Sequence, residues 1–336
     1  MRITRETLLR VAQDTVAQRT RSDRTLVSIY LCGSLLEDDY LSGGTTDIDL
    51  VMVHTDVVEA EREILPLTDE VHIDIAHHYH RDYRQTRQLR IHPWLGPTLK
   101  SCKIIYDPQH FLDFTQASVR GQFERPDHVL ERARGQYDHA RQIWNSIHVS
   151  PISHESEWIL GYLRSLSLAA NAIASLSGFP LTERRFLLNF KNRADTIGKP
   201  GLYAGLLGLL GSPRVDVDTI KSWIPLWRRA FDLVSTAQAP ARLNPARALY
   251  YQRSLEALQN GQQPMACLWP LLHTWSLAIQ HGSGEAENTL PWAEAMQRLG
   301  LMGGETKERI EALDAYLDLI EESLDDWGHQ SGASEV

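Results

Sequence analysis

The residues best suited to chemistry are two aspartates, Asp47 and Asp49, at the start of the apolar run DIDLVMV. Alternate side chains of a strand point to one face, so both carboxylates would project from the same side, about 7 Å apart. Two carboxylates at that distance repel each other, and burying either one without a partner is costly. A divalent cation removes this cost, and Mg²⁺ prefers oxygen ligands. The pattern therefore predicts a magnesium site at Asp47 and Asp49.

A third aspartate, Asp74, lies in a later strand-like segment between Ile73 and Ile75. A charged residue flanked by apolar ones in the middle of a strand needs a partner. If this strand lies beside the one that carries Asp47 and Asp49, Asp74 joins the same carboxylate cluster.

A glycine-serine pair, Gly33 and Ser34, ends the preceding strand, and residues 35–46 separate it from Asp47. Glycine lets backbone N–H groups approach an anion without a Cβ in the way, and the Ser34 hydroxyl adds a donor. Such a turn suits a phosphate. Beside a metal–carboxylate cluster it predicts phosphoryl or nucleotidyl transfer, because metals bridge phosphate oxygens while carboxylates hold the metals.

Gly33-Ser34, the spacer, Asp47-Ile48-Asp49-Leu50 and the later Asp74 resemble the signature of the polymerase-β-type nucleotidyltransferase superfamily. The resemblance covers about residues 25–110. The helical segments after it are similar to the small-molecule, aminoglycoside-type nucleotidyltransferases. The resemblance implies two Mg²⁺ ions and transfer of NMP, with AMP from ATP as the expected case among NTPs, to a hydroxyl of a small molecule. An antibiotic is one candidate acceptor.

Carried over residue by residue, the resemblance implies that Gly33 and Ser34 contact the triphosphate. Asp47 and Asp49 would ligate the metals. Asp74 would be a third metal ligand or the base that deprotonates the acceptor hydroxyl. A carboxylate of the helical domain is another candidate for that base. Thr46 departs from the pattern, since Ser is more usual before the first aspartate, but a hydroxyl is kept.

Two other functions are compatible with the same residues. Because the superfamily includes members that bind nucleotide without turnover, the chain could be a catalytically idle regulatory or interaction protein. It could also be a protein AMPylase or a toxin–antitoxin component. A tRNA acceptor is disfavoured by the absence of a basic face.

The elements that must position these residues fall into two regions. Helices are expected at residues 4–20 and 57–65, and strands at 25–32, 47–53, 71–76 and 102–108. Further helices are expected at 126–148, 153–177, 182–194, 215–236, 245–261, 264–281, 287–299 and 305–327. This order predicts an α+β fold, in which a nucleotidyltransferase-type mixed β-sheet with flanking helices precedes an all-α domain. The expected domains are a nucleotidyltransferase core (1–120), a helical domain that closes the acceptor cleft (121–330) and a disordered tail (331–336).

Composition restricts the partners. The 336 residues carry a formal net charge of −9, which disfavours long nucleic acid because that affinity comes from neutralising phosphates. No stretch approaches the ~20 apolar residues of a membrane span, and the N-terminus does not read as a secretory signal. Three widely spaced cysteines are typical of free thiols in a reducing cytoplasm. The expected partners are a nucleoside triphosphate and a small hydroxyl-bearing acceptor, with no membrane.

Three further patterns each leave two interpretations. The four histidines near Asp74 are either a transition-metal site or an exposed strand end that titrates near neutral pH. The four arginines at spacings of three form either a solvated helix face or a cationic wall for the triphosphate. The apolar stripe of the last helix packs on its own domain or forms a homodimer seam. The histidines are His72, His77, His78 and His80. The arginines are Arg81, Arg84, Arg87 and Arg90. The apolar stripe consists of Ile310, Leu313, Leu317, Ile320 and Leu324.

Overall fold

The computed structural model describes residues 3–56, 58, 60–149, 154–234 and 239–333. It divides the chain into two compact units, Met1–His128 and Val129–Val336. Strands lie in the first unit, and every regular element among the described residues of the second unit is a helix. The chain therefore has an α+β fold, as predicted, with a mixed sheet and its flanking helices followed by an all-helical region.

Five strands and four α-helices lie wholly within the described part of the first unit. Its strands are β1 (Leu26–Cys32), β2 (Thr46–His54), β3 (Arg62–Pro66), β4 (Val71–Tyr79) and β5 (Lys103–Tyr106). Its helices are α1 (Arg5–Ser22), α2 (Thr86–Ile91), α3 (Leu95–Ser101) and α4 (Phe111–Arg120).

The remaining helices belong to the second unit, except that the first of them begins before the division. They are α5 (Pro126–Val149), α6 (Glu155–Ser177), α7 (Phe186–Thr196), α8 (Gly201–Leu209), α9 (Val217–Asp232), α10 (Ala248–Gln259), α11 (Leu268–His281), α12 (Ala286–Arg298) and α13 (Thr306–Ser331). All helices predicted from residue 126 onward are present, with ends displaced by a few residues. Residues 153, 235 and 236 of those predictions lie outside the described residues.

The five strands form one sheet in the order β3-β4-β2-β1-β5. The β2–β4 pair is parallel, whereas β1–β2, β1–β5 and β3–β4 are antiparallel. Helix α1 covers one face, because Leu8, Ala12 and Val16 recur every four residues and join the apolar cluster of β2 and β4. Helices α2, α3 and α4 contribute to the apolar cluster on the opposite face.

Strand register fixes which face each polar side chain occupies. In the β2–β4 pair, Asp47 lies opposite His72 and Asp49 opposite Asp74. Alternation then places Ile48 and Ile73 on the α1 face, where both are buried. The aspartates therefore share the other face of the sheet.

The helix predicted at residues 57–65 is wrong. Residues 62–66 form β3, which pairs with β4 through a short turn in which the Thr68 hydroxyl oxygen accepts hydrogen bonds from the backbone N–H groups of Glu70 and Val71. Glu and Arg favour a helix locally, but the exposed edge of β4 offers a full set of backbone partners, and tertiary pairing overrides propensity. Residues 57 and 59 lie outside the described residues.

The helical unit is built around α6, which is mostly buried. This helix is long and apolar enough by composition to cross a membrane. However, 78% of its apolar 18-residue window is buried inside the fold. Leu313, Leu317, Ile320 and Leu324 of α13 are fully buried in the core of the same unit. Helix α13 ends at Ser331, the first residue of the tail predicted to be disordered, and residues 334–336 lie outside the described residues.

Candidate active site

Three carboxylates converge on the face of the sheet opposite α1. One oxygen from each of Asp47, Asp49 and Asp74 can be chosen so that all three lie within 4.8 Å of one another. Asp47 is 8% exposed and Asp74 is 2% exposed, while Asp49 is half-buried. Parallel pairing of β2 with β4 thus brings together the three aspartates that the sequence predicted to form one cluster.

Gly33 allows this convergence from the neighbouring strand. Its φ is +76°, and a Cβ at this position would lie 1.8 Å from Oδ2 of Asp49. A left-handed backbone favours glycine, and here any side chain would also displace the Asp49 carboxylate. The sequence indicated glycine for close approach to an anion. The group nearest to the position of a Gly33 Cβ is the carboxylate of Asp49, a residue of the site itself.

Ser34 begins the short 3₁₀ turn Ser34–Leu36 directly after Gly33. Its hydroxyl donates to the Tyr40 carbonyl at 3.5 Å, and the Thr46 hydroxyl donates to the same carbonyl at 2.8 Å. These contacts anchor the loop between β1 and β2 near the start of the aspartate pair. Thr46 therefore serves a structural purpose that a serine hydroxyl would also serve.

Arg62 is the residue of this site that the sequence did not indicate. Its Nε donates to Oδ1 of Asp74 at 2.6 Å and its Nη2 donates to Oδ2 at 2.8 Å. Such a bidentate pair fixes the carboxylate in both position and plane. The segment REILP shows no alternation of polar and apolar residues, so only the pairing of β3 with β4 sets Arg62 beside Asp74.

Two further titratable side chains, His72 and Cys32, lie beside the aspartates. Nε2 of the buried His72 lies 4.0 Å from Oδ2 of Asp47. Cys32 lies opposite Asp49 in the β1–β2 pair. Burial and then the Asp49 charge raise the pKa of the Cys32 thiol well above its usual value, so this thiol stays protonated.

The donor set fits a divalent metal of the hard class. Three carboxylates are ligands that Mg²⁺ and Mn²⁺ favour over softer sites. Oxygens on opposite sides of a Mg²⁺ ion lie about 4.2 Å apart, since each Mg–O bond is about 2.1 Å. At most one pair among three ligand oxygens can be opposite, and neighbouring oxygens around Mg²⁺ lie about 3 Å apart, so a set within 4.8 Å needs to contract by up to roughly 1.8 Å to share one ion.

The four histidines around Asp74 do not form a metal site. His72 lies on the aspartate face, whereas His77 lies on the α1 face, where its Nδ1 and His54 Nε2 are 2.8 Å apart. His78 Nδ1 and the Tyr83 hydroxyl oxygen lie 2.6 Å apart, and His80 packs against Phe111. The alternative of an exposed strand end is also wrong for His72, which is 1% exposed.

The arginine series does not follow one helix face. Arg81 lies in a 3₁₀ turn, and a separate helix, α2, starts at Thr86. Arg81, Arg84 and Arg87 are exposed, as the solvated interpretation predicted. Arg90 instead donates to the backbone and hydroxyl of Ser118 and to Gln122, which ties α2 to α4 and its C-terminal end.

Comparison with known proteins adds little. No family model matches the chain, and no curated protein matches its sequence. One matching solved structure is a nucleotidyltransferase-like protein from Exiguobacterium sibiricum, 10% identical, with 94% of this chain and 91% of that chain covered at a TM-score of 0.28. A likeness this loose carries no information on activity, so the function proposed below depends on the side chains of this chain.

The helical unit contains an open cavity of about 590 Å³. It is lined by His154, Glu155, Trp158, Leu301, Met302, Gly303 and Thr306. Its volume lies within the range of small-molecule sites, and it combines an aromatic wall with a carboxylate and a hydroxyl.

Proposed function

We propose that this protein is a Mg²⁺-dependent nucleotidyltransferase that transfers NMP, with AMP from ATP as the expected case, to a hydroxyl of a small molecule. The observation that carries the proposal is the convergence of Asp47, Asp49 and Asp74 beside the Gly33 bend. Three carboxylates repel one another, and a bound divalent cation would compensate that repulsion and in turn bind an anion such as a phosphate.

Each residue then has a defined task. Asp47 and Asp49, adjacent on one strand face, would hold the divalent cations, which when bound supply positive charge to the phosphate oxygens. Asp74 would complete the set, with its orientation fixed by Arg62. Ser34 and the backbone at Gly33 would contact the triphosphate. The negative net charge of the chain agrees with a small acceptor rather than a long nucleic acid.

The test is pyrophosphate release from ATP and Mg²⁺ with a panel of small hydroxyl-bearing acceptors. Asp49→Asn keeps the side-chain size and removes the charge. We expect it to lower turnover by at least about 100-fold, the effect of losing a group that stabilises transition-state charge. The matched control is Asp38→Asn in the loop between β1 and β2, whose side chain is fully exposed, and it should leave turnover unchanged. Undiminished release by Asp49→Asn would contradict the proposal.

One observation favours a second function. Arg62 already neutralises Asp74, so the cluster is partly compensated without any metal. A protein that binds nucleotide without turnover would tolerate such a pair permanently. Calorimetry that detects ATP binding, together with no pyrophosphate release across the acceptor panel, would favour this alternative.

A further inference from the structure

In the ion pair between Arg62 and Asp74, the arginine side chain is partly exposed and the aspartate side chain is buried. The Arg62 side chain is 47% exposed and the Asp74 side chain is 1% exposed. Asp74 is confined in the middle of β4, whereas the guanidinium extends from the edge strand β3. Of the two, only the arginine has the space to leave.

Strand register explains why Arg62 reaches Asp74. Arg62 lies opposite Ala76 and Ile64 lies opposite Asp74 in the antiparallel β3–β4 pair. Arg62 therefore projects from the aspartate face, two residues along from Asp74, which is within reach of a long side chain on a neighbouring strand. Its two N–H donors take one oxygen each of the Asp74 carboxylate.

We infer that Arg62 is a positioning residue that competes with a divalent cation for the Asp74 carboxylate. The inference rests on the proposed function and names a regulation of the same site. With Arg62 in place, Asp74 is held beside Asp47 and Asp49 but both of its oxygens accept hydrogen bonds from the guanidinium. When a cation uses Asp74 as its third ligand, at least one of those hydrogen bonds breaks and the guanidinium turns towards solvent.

Competition and simple support predict changes of opposite sign. If Arg62 competes, removing it releases both Asp74 oxygens from the guanidinium and deletes a positive charge beside the cluster, so cation affinity rises. If Arg62 only supports the geometry, removing it leaves Asp74 poorly oriented, so cation affinity falls. The direction of the change therefore decides between the two roles.

The first experiment measures Mn²⁺ binding to the full chain without nucleotide, from the electron paramagnetic resonance signal of free Mn²⁺. Arg62→Gln should bind Mn²⁺ about tenfold more tightly than the wild type. Arg62→Lys, which keeps the charge but cannot form the bidentate pair, should bind slightly more tightly than the wild type. The matched control is Arg19→Gln, which removes the same charge from a pair with Glu63, the next residue of β3. It should leave Mn²⁺ binding within about twofold of the wild type, since Glu63 lies on the α1 face.

Equal or weaker Mn²⁺ binding by both Arg62→Gln and Arg62→Lys, in a wild type that binds Mn²⁺, would overturn the inference and leave the proposed function intact. Absence of Mn²⁺ binding from wild type and Arg62→Gln alike would contradict the proposed function as well. If Arg62→Gln fails to fold, Arg62→Lys carries the comparison.

A second measurement follows Arg62 directly in the wild type. The ¹⁵N-edited NMR signal of its Nε–H reports the hydrogen bond to Asp74 and can be assigned from its loss in Arg62→Lys. Titration with diamagnetic Mg²⁺ should shift this signal towards that of a solvated arginine. A signal that stays fixed while Mg²⁺ saturates the site would overturn the inference.

Discussion

At the scale of single residues, the position of Asp49 depends on the absence of a side chain at residue 33. The carboxylate of Asp49 occupies the volume that any Cβ on Gly33 would need. A substitution there requires the Asp49 carboxylate to move, because the clashing atoms belong to that side chain. Gly33 is therefore tied to the site by sterics as well as by its left-handed backbone.

Gly33→Ala should displace Asp49 and weaken Mn²⁺ binding by at least tenfold, because one ligand leaves the cluster. Backbone strain should also lower the free energy of unfolding by about 1–3 kcal/mol. The control is Gly44→Ala, which has nearly the same φ of +77° but no atom within 4 Å of the new Cβ. It should show the strain without the loss of Mn²⁺ affinity. Equal Mn²⁺ affinity in the two variants would contradict this account.

The identities of the three aspartates could be predicted from sequence because a charged residue inside an apolar strand is conspicuous by itself. Arg62 could not be predicted in the same way. An arginine in a polar segment looks like any solvated residue until β3 is paired with β4, and only that pairing sets Arg62 beside Asp74.

At the scale of elements, a hydrogen-bonded chain joins β2, β4, β3 and α1 on the α1 face of the sheet. His54 of β2 contacts His77 of β4, and the other ring nitrogen of His77 contacts Glu63 of β3 at 2.8 Å. Glu63 pairs with Arg19 of α1, and Nδ1 of His54 contacts the Thr25 hydroxyl, just before β1, at 2.9 Å. These polar contacts connect α1 and three strands of the sheet beside the apolar cluster on the α1 face.

Burial, with a smaller contribution from the charge of His77, lowers the pKa of His54 below its ordinary value of 6.5, although Asp23 and Glu63 oppose this. The unfolded chain then binds a proton at a higher pH than the folded chain does. The free energy of unfolding should therefore fall as the pH drops below about 6.5 and through the folded-state pKa of His54. Burial lowers the pKa of His78 and His92 as well, which adds to the same slope.

His54→Gln should lose part of this acid-side slope in urea unfolding experiments between neutral and mildly acidic pH. The control, His329→Gln, replaces an exposed histidine of α13 and should retain the slope. A slope in His54→Gln identical to that of the wild type would show that His54 does not titrate as described.

Helices and strands with strong periodicity could be predicted from sequence, and β3 shows why others could not. The segment around Arg62 has a helical composition, yet its conformation is decided by the unpaired edge of β4, a partner distant from any local pattern. The strands that carry Asp49 and Asp74 do lie side by side, which was the condition for the predicted cluster. Apolar neighbours on both sides of Asp74 indicated a buried strand but not which strand lies beside it.

At the scale of the whole molecule, the last helix completes the helical unit. Its buried stripe packs in the core of its own unit, and its acidic face pairs with α5, where Arg141 contacts Asp314 and Asp318. The apolar pattern predicted one buried stripe but could not tell an internal surface from a dimer seam, because both need the same spacing.

Leu317→Ala should lower the free energy of unfolding by about 2–5 kcal/mol, since Leu317 is fully buried and the change leaves a cavity. Leu319→Ala, two residues along the same helix, should change it by less than about 0.5 kcal/mol, because Leu319 is 51% exposed. Chemical denaturation of both variants measures the difference. Similar losses in the two would mean that α13 does not present the Leu317 face to its own core.

The central claim is that the three aspartates bind a divalent cation, and the most direct measurement is anomalous X-ray diffraction from crystals grown with Mn²⁺. We predict an anomalous peak within bonding distance of Asp47 and Asp49, with the Arg62 guanidinium moved away from Asp74 wherever the ion also contacts Asp74. No peak at saturating Mn²⁺, with Arg62 still bound to both Asp74 oxygens, would contradict the account.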